Sequence, residues 1–155
     1  MRNTMVTRKS LTFFTVVMLL SMSATIVSAD VDINLSANPS SAEATADEAA
    51  EYTIIVQNSG DDDAAVSLST QQGDDCNGFS STLETTFVQV SSSSSESVTL
   101  TVTVTDQASG ECETTVNAQG QVSGGAPGTP SNADVTVVTT AGDGGGLYSV
   151  SLSTD

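Results

Sequence analysis

The sequence predicts an all-β fold, an antiparallel β-sandwich of about seven short strands that follows an N-terminal signal peptide. Three observations predict it. Apolar and polar residues alternate through most of the chain beyond Asp30, as they do in strands with one buried face. Clusters of Gly, Asn, Asp and Ser separate the alternating runs, as turns do. Residues 1–29 differ from the rest of the chain in charge and hydropathy.

Residues 1–29 have the parts of a secretory signal. All three basic residues of the chain lie within the first nine positions, and an apolar run follows over residues 11–20. Val27-Ser28-Ala29 supplies small residues where a signal peptidase cleaves, so we expect the mature chain to begin at Asp30. The alternative is a retained membrane anchor, because the stretch up to residue 29 approaches the length of a bilayer-spanning helix.

The mature chain is predicted to be a polyanion. All 19 acidic residues lie at or beyond Asp30, and no Lys, Arg or His follows Lys9. Proteins bind nucleic acids and anionic lipids through Lys and Arg, so the sequence excludes both as partners after signal removal. We expect the partners to be other surface proteins or copies of the same chain. Because salt screens the repulsion between carboxylates, stability should rise with salt concentration.

The same composition argues against catalysis. Without His, Lys or Arg, residues 30–155 cannot form a Ser-His-Asp or Cys-His site, a Schiff base or an arginine clamp on phosphate. A carboxylate pair of the glycosidase type remains possible among the loop aspartates, but the chain has no Trp to stack on a sugar. We therefore expect no enzymatic activity, and no cofactor beyond a calcium ion.

Alternating apolar residues place the strands in order along the chain. The runs cover residues 31–35, 52–56, 66–68, 98–104, 112–118 and 135–137. Turns are expected at residues 58–61, 91–95 and 106–110, which are rich in residues that tolerate positive φ or bond to their own backbone. The Ala-rich segment 41–51 is the one stretch that allows a helical turn. A mainly aliphatic core is predicted, with aromatic contributions from Tyr52, Phe79 and Phe87 and with Tyr148 as a further candidate.

Cys76 and Cys112 are the two cysteines of a chain that we expect to be exported. An even number of cysteines in an oxidising compartment favours a disulfide. A zinc site is the alternative, but two cysteines without His cannot complete its usual ligand set. The disulfide would fasten the loop at residues 71–78 to a core strand, and would stabilise the fold by about 3–4 kcal/mol in the chain-entropy model.

Several segments resemble a known family of repeats. They are Ala50-Glu51-Tyr52-Thr53-Ile54-Ile55-Val56-Gln57-Asn58-Ser59-Gly60-Asp61, then Glu96-Ser97-Val98-Thr99-Leu100-Thr101-Val102-Thr103-Val104, and Gly110 with Val116. Together they resemble the immunoglobulin-like repeats of the CARDB and NEW3 kind, which occur in tandem on archaeal and bacterial surface proteins. The resemblance covers residues 30–140, and implies an immunoglobulin-like sandwich at residues 30–141 in a protein that is secreted or held at the cell surface.

The C-terminal end resembles the start of a second repeat. Tyr148-Ser149-Val150-Ser151-Leu152-Ser153 repeats the alternation of residues 31–36, and a Gly-rich hinge over residues 142–146 precedes it. Either the sequence is a fragment of a longer repeat protein, or residues 147–155 form a strand that pairs outside the first domain. A chance β-like tail is the remaining alternative. The side chains expected to enter a neighbouring sandwich are Leu147, Tyr148, Val150 and Leu152.

Two further sites are predicted from polar residues. Calcium takes oxygen ligands, and carboxylates stand beside turn carbonyls at Asp61, Asp62, Asp63, Asp74 and Asp75. A solvated acidic loop is the alternative at each place. Asn34-Leu35-Ser36 is the one usable acceptor sequence for N-glycosylation, and it lies within a predicted strand with Asn34 facing outward.

These features indicate an exported, non-enzymatic structural or adhesive module at the cell surface. One alternative is a filament or sheath subunit that assembles by strand donation from its C-terminal segment. The other is a calcium-dependent binding module.

Overall fold

The computed structural model describes residues 30–125 and 127–142. The strands in these ranges are β1 (Ile33–Asn38), β2 (Ser41–Ala44), β3 (Ala49–Asn58), β4 (Ala64–Gln72), β5 (Phe79–Leu83), β6 (Phe87–Val90), β7 (Ser94–Val104), β8 (Glu111–Val122) and β9 (Ser131–Ala141). A 3₁₀ turn, Ser123–Gly125, lies between β8 and β9. Within these two ranges, no helix is long and apolar enough to cross a membrane.

The strands form two sheets that pack face to face. The first sheet has the order β1-β3-β7-β5 and the second has the order β2-β9-β8-β4-β6. Seven of these strands occupy the A-B-E-D and G-F-C positions of a constant-type immunoglobulin domain. The predicted immunoglobulin-like sandwich is confirmed. The two additional strands, β2 and β6, have only four residues each and lie at the edges of the second sheet.

Strand β3 shows how the alternating sequence determines the packing. Every second residue from Ala50 to Asn58 is buried, and the residues between them are exposed. Antiparallel pairing with β7 runs the full length of β3, from Ala49 opposite Thr103 to Asn58 opposite Ser94. The inward side chains Tyr52, Ile54 and Val56 are therefore held in register with those of β7, and they face the interior of the second sheet across an aliphatic core.

The first two strands of the fold lie in different sheets. Strand β1 pairs antiparallel with β3, and after two further residues the chain enters the second sheet as β2. Strand β2 pairs parallel with the last residues of β9, from Ser41 opposite Val138 to Ala44 opposite Ala141. The Ala-rich segment 41–51 therefore consists of β2, a tight turn at residues 45–48 and the start of β3, and it contains no helical turn. Its backbone groups bond to β9 and β7, which outweighs the helical preference of alanine.

The core has fewer aromatic residues than the sequence predicts. Tyr52 and Phe79 are buried, with 1% and 7% of their surfaces exposed, but Phe87 is 50% exposed. The prediction that Phe87 enters the core is wrong. In the short edge strand β6, Val88 and Val90 face inward, and the alternation of the strand turns Phe87 toward solvent.

A buried polar residue closes one end of the sandwich. Asn58 is fully buried, and its Nδ2 atom donates to the carbonyl oxygens of Asp62 at 2.8 Å and Val90 at 3.3 Å. Its Oδ1 atom accepts a hydrogen bond from the N–H group of Gly60 at 3.1 Å. Gly60 has no space for a side chain, because a Cβ atom there would overlap the carbonyl oxygen of Asp30. We call this the upper end of the sandwich, and the opposite end, with the β7–β8 loop, the lower end.

Candidate functional site

A disulfide joins Cys76 to Cys112, as predicted. Cys112 is a fully buried residue of β8, and Cys76 lies in the loop between β4 and β5 at the lower end. The base of the loop is also bound to β8, because the N–H group of Gly73 donates to the carbonyl oxygen of Glu113 at 2.9 Å. The bond therefore anchors a surface loop to a core strand, the role that the sequence predicts for it.

The five aspartates predicted to bind calcium lie in two separate places. Asp61, Asp62 and Asp63 form the turn before β4, and Asp74 and Asp75 follow the end of that strand. The nine residues of β4 hold the two sets about 30 Å apart at the rise of a β-strand. Within residues 30–125 and 127–142, no three carboxylate or thiol groups are close enough together to hold a metal ion. Calcium binding remains a prediction.

The aspartates of the upper turn are occupied by local hydrogen bonds. The Asp62 Oδ2 atom accepts from the backbone nitrogen of Asp30 at 3.0 Å, and the Asp63 Oδ1 atom accepts from the backbone nitrogen of Ser92 at 2.9 Å. Both bonds tie the β3–β4 turn to neighbouring segments. These aspartates therefore have a structural role in the turn, because their carboxylates accept hydrogen bonds from backbone N–H groups.

A shallow acidic pocket lies beside the disulfide at the lower end. Its lining residues are Gly73, Asp74, Asp75, Cys76, Glu111 and Glu113.

The turn at residues 45–48, also at the lower end, contains an acidic residue that accepts two hydrogen bonds. Glu48 accepts from the hydroxyl of Thr45 at 2.7 Å and from its N–H group at 3.2 Å, and these bonds lower the pKa of the Glu48 carboxyl.

The acidic residues of the described ranges are concentrated at the two ends of the sandwich. Those at the upper end are Asp30, Asp32, Asp61, Asp62 and Asp63, and those at the lower end are Glu43, Asp47, Glu48, Asp74, Asp75, Asp106, Glu111 and Glu113. Of the remaining acids, Glu51, Glu96 and Asp134 lie on strands, and Glu84 directly follows β5. Most other exposed strand positions are occupied by uncharged polar residues such as Thr, Ser, Asn and Gln.

The outer face of the second sheet carries an uncharged row of side chains. Strand pairing sets Phe87 opposite Ser67, Ser67 opposite Gln119, and Gln119 opposite Asn132. These four outward-facing residues cross four adjacent strands. A shallow depression includes most of this row, and we call it the amide face. Its residues are Ser67, Leu68, Ser69, Asn117, Ala118, Gln119, Asn132, Ala133 and Asp134.

Phe87 lies at the free edge beside the amide face. The edge is partly protected, because the hydroxyl of Thr85 donates to the carbonyl oxygen of Phe87 at 3.0 Å and accepts from its N–H group at 3.2 Å. This is the kind of local protection by which edge strands avoid uncontrolled pairing. The aromatic ring itself remains half exposed, next to a face whose Ser, Asn and Gln side chains can make hydrogen bonds.

The remaining predicted sites are the glycosylation site on β1 and the strand-donating residues near the C-terminus. Asn34 is exposed on β1, and its Nδ2 atom donates to the hydroxyl of Ser59 at 3.2 Å. Its outward orientation is as predicted, and its glycosylation remains a prediction. The proposed donor residues Leu147, Tyr148, Val150 and Leu152 lie outside the described residues, as does the signal segment 1–29.

The sequence analysis missed two polar contacts that organise the ends of the fold. The Asn58 network at the upper end could have been expected from Asn58-Ser59-Gly60, because an Asn side chain often bonds to the backbone two residues on. The hydrogen bond of 3.0 Å between the backbone of Asp30 and the side chain of Asp62 had no signal in the sequence, since 32 positions separate the two residues.

Comparison with known proteins defines the fold. No family model matches the chain, and no curated protein matches its sequence. The ASH / PapD-like domain of human CEP192 (PapD-like domain 7) shares 13% sequence identity and superimposes with a TM-score of 0.51, covering 69% of this chain and 84% of that chain. The likeness is one of fold. It agrees with the immunoglobulin-like strand order of the two sheets.

A second solved structure shows a similar but looser match. SSP-19 of Caenorhabditis elegans, described as a protein like the MSP-domain family, shares 16% identity at a TM-score of 0.48, covering 68% of this chain and 99% of that chain. At these identities, neither comparison assigns a ligand or a partner to this chain.

Proposed function

We propose that this chain is an exported, non-enzymatic immunoglobulin-like module that acts as a structural or adhesive unit at the cell surface. The disulfide supports export, because disulfides persist in oxidising compartments. The signal-like composition of residues 1–29 supports it independently. The resemblance to CARDB and NEW3 repeats is part of the same proposal, and the immunoglobulin-like strand order is compatible with it.

The observation that carries the proposal is the low charge of the amide face. Repulsion between two polyanions is smallest where the surfaces that meet carry the least charge. Asp134 is the one acid among the amide-face residues, and the Asn, Gln and Ser side chains there donate and accept hydrogen bonds without a formal charge. Phe87, half exposed beside it, adds apolar area of the kind that anchors protein contacts. This surface suits other surface proteins or copies of the same chain.

The chemistry of the described residues supports a non-catalytic role. They contain no His, Lys or Arg, so a base poised near neutral pH would have to be a carboxylate raised in pKa by burial. The carboxylates instead lie in turns and on exposed strand positions. The concave places on the surface are shallow and are lined by backbone, amide and hydroxyl groups or by exposed acids.

Two exposed apolar residues provide a matched test of the adhesive surface. Phe87 lies on the second sheet beside the amide face, and Ile55 is 37% exposed on the outer face of the first sheet. The measurement is the fraction of exported protein that remains cell-associated, with surface proteolysis as the check of location. Phe87→Ser should release protein to the medium, whereas Ile55→Ser should behave as wild type. Equal retention of all three, or protein found only in the cytosol, would contradict the proposal.

A filament or sheath subunit is the second candidate function, and the position of the free edge favours it. Strand β9 ends at the lower end of the second sheet, with Thr140 opposite Glu111, whereas β6 pairs near the upper end, where Ser67 is opposite both Phe87 and Gln119. Eight positions of β8 at about 3.4 Å each, and three strand spacings of about 4.8 Å, separate these points by about 30 Å.

The hinge is too short to cover that distance within one molecule. Five residues, 142–146, extend to at most about 18 Å, which is too short for a strand that begins at Leu147 to lie along the whole β6 edge of its own molecule, so full pairing requires a neighbouring copy. That segment also lacks charge, which suits association between polyanions. In size-exclusion chromatography, deletion of residues 142–155 and the variant Tyr148→Ser/Val150→Ser/Leu152→Ser should both abolish assembly. Assemblies that survive both changes, or a wild-type chain that is monomeric at all concentrations, would exclude strand donation.

A further inference from the structure

The first described residue makes a reciprocal pair of hydrogen bonds with the turn at the upper end. The backbone nitrogen of Asp30 donates to the Oδ2 atom of Asp62 at 3.0 Å. In the other direction, the backbone nitrogen of Asp62 donates to the carbonyl oxygen of Asp30 at 3.2 Å. The same turn packs tightly on this segment, because a Cβ atom at Gly60 would lie 2.9 Å from the backbone nitrogen of Asp32.

The turn that receives Asp30 is itself fixed to the core. The carbonyl oxygen of Asp62 accepts from the Nδ2 atom of Asn58 at 2.8 Å, and Asn58 is fully buried. The backbone of Asp62 is therefore held in place by the core, which positions its side chain beside the nitrogen of Asp30. A backbone that is already ordered loses little conformational entropy when its partner becomes charged.

We propose that removal of the signal converts this hydrogen bond into an ion pair between the α-ammonium group of Asp30 and the carboxylate of Asp62. In the hydrolysis, water adds across the Ala29–Asp30 peptide bond. The hydroxyl oxygen goes to the Ala29 carbonyl carbon, which leaves as a carboxylate, and the Asp30 nitrogen takes up protons to become an ammonium group. The inference rests on the proposed export, because a signal peptidase must cut at this bond.

The charge created in this way has no cationic competitor among residues 30–155. No Lys, Arg or His follows Lys9, so the Asp30 ammonium is the one cationic group among residues 30–155. Several carboxylates lie near it at the upper end, but the nitrogen of Asp30 is already within hydrogen-bond distance of Asp62. Charge-assisted hydrogen bonds are stronger than neutral ones, so cleavage tightens the contact between the N-terminus and the β3–β4 turn. The pair is exposed, and salt will weaken it.

The lack of lysine makes the pair directly measurable. In a chain of residues 30–155 an amine-acylating reagent has a single target, the α-amino group of Asp30. A nearby carboxylate favours the ammonium form and raises the pKa of an amine, and only the free amine reacts. At pH 7.5 and low salt, we expect Asp62→Asn to accelerate acylation about two- to fivefold, as exposed ion pairs of ordinary strength imply. The matched variant Asp61→Asn should react at the wild-type rate.

A second measurement separates the ion pair from the loss of a hydrogen-bond acceptor. A chain with one additional glycine before Asp30 restores the peptide N–H group at Asp30 and moves the ammonium by one residue. Asp62→Asn should lower the melting temperature by about 1–5 °C more in the chain that begins at Asp30 than in the extended chain. Both chains are released from a fusion by a protease that cuts directly before the chosen residue, so this result does not depend on export.

The outcomes distinguish the inference from the export proposal. Equal acylation rates for wild type, Asp61→Asn and Asp62→Asn, together with equal melting shifts in the two chains, would overturn the ion pair. An exported protein whose intact mass still includes residues 1–29 would overturn the cleavage, even if the released chain shows the ion pair.

Discussion

The hydroxyl group of Tyr52, on β3 of the first sheet, donates a hydrogen bond of 2.8 Å to the carbonyl oxygen of Val138, on β9 of the second sheet. It also lies 2.7 Å from the hydroxyl oxygen of Thr139. Tyr52 and Thr139 are both buried, so the aromatic ring crosses the core and its polar atom is satisfied on the far side. This contact joins the two sheets near the point where β2 pairs with β9.

Tyr52→Phe should therefore destabilise the domain without changing its fold. Removing the hydroxyl deletes one buried and one partly buried hydrogen bond, which we expect to lower the free energy of unfolding by about 1–3 kcal/mol. The measurement is urea denaturation of both proteins. A double-mutant cycle with Thr139→Val should give a coupling of about 0.5 kcal/mol or more. Additive effects of the two changes would show that the hydroxyl groups act independently.

Asn58→Ala should be more damaging than its size suggests. The substitution leaves the buried carbonyl oxygens of Asp62 and Val90 without this donor, and an unsatisfied buried polar group costs about 1–3 kcal/mol. The neighbouring residue Gln57 is exposed, so Gln57→Ala should change stability by less than about 0.5 kcal/mol. Chemical denaturation of both variants makes the comparison, and similar losses in the two would contradict the role assigned to Asn58.

Breaking the disulfide should weaken the fold through the β4–β5 loop. The bond closes a separation of 36 residues, so the variant Cys76→Ala/Cys112→Ala should lose about 3–4 kcal/mol in the chain-entropy model. Reduction of the wild-type protein by a thiol should produce a comparable loss, and the double variant should not respond to the thiol. A variant as stable as the oxidised protein would show that the crosslink contributes nothing beyond the loop's own contacts.

The turn at residues 45–48 provides a pH-dependent element with a defined sign. Hydrogen bonds from the Thr45 hydroxyl, and then from its N–H group, lower the pKa of Glu48 in the folded protein. A lowered folded-state pKa adds stability that is present above the unfolded value of about 4.3 and is lost as the pH falls through the folded value. NMR titration of Thr45→Val should show a higher pKa for Glu48 than in the wild type. An unchanged value would exclude the hydroxyl as the main cause.

Salt should stabilise the domain by screening the acids at its two ends. The Debye length falls from about 10 Å at 0.1 M salt to about 3 Å at 1 M, so the melting temperature should rise over this range of NaCl. Asp74→Asn/Asp75→Asn removes two exposed charges from the lower end. This variant should melt higher than wild type at low salt and should depend less on NaCl. A wild-type melting temperature that is flat or falls with NaCl would contradict the prediction.

The regular parts of the fold were predictable because long strands repeat their pattern. The alternation at 98–104 and 112–118 marks β7 and β8, and the pairing of Cys76 with Cys112 followed from their number and the expected compartment. The short strands β2, β5 and β6 were missed, because four or five residues contain too little alternation to distinguish a strand from a loop. Their existence depends on pairing with partner strands.

The polar start of β7 and the amide face were also harder to predict, because neither has a hydrophobic pattern in the sequence. Ser94 and Ser95 were expected in a loop, but they begin β7, where their backbone groups pair with Asn58 and Gln57. A ladder needs backbone hydrogen bonds and not apolar side chains, so its polar end has no hydrophobic signature. The amide face was invisible for the same reason, since it is defined by which outward residues of different strands become neighbours.

The parallel pairing of β2 with β9 determines how the domain would carry a mechanical load. Asp30 and Gly142 leave the sandwich at opposite ends, so tension applied through them pulls β2 and β9 past each other along their length. The ladder from Ser41 to Ala44 would then be strained in shear, with its hydrogen bonds sharing the force instead of opening one at a time. A domain linked at both ends to neighbouring domains on a cell envelope would gain resistance to extension from the four residues of β2.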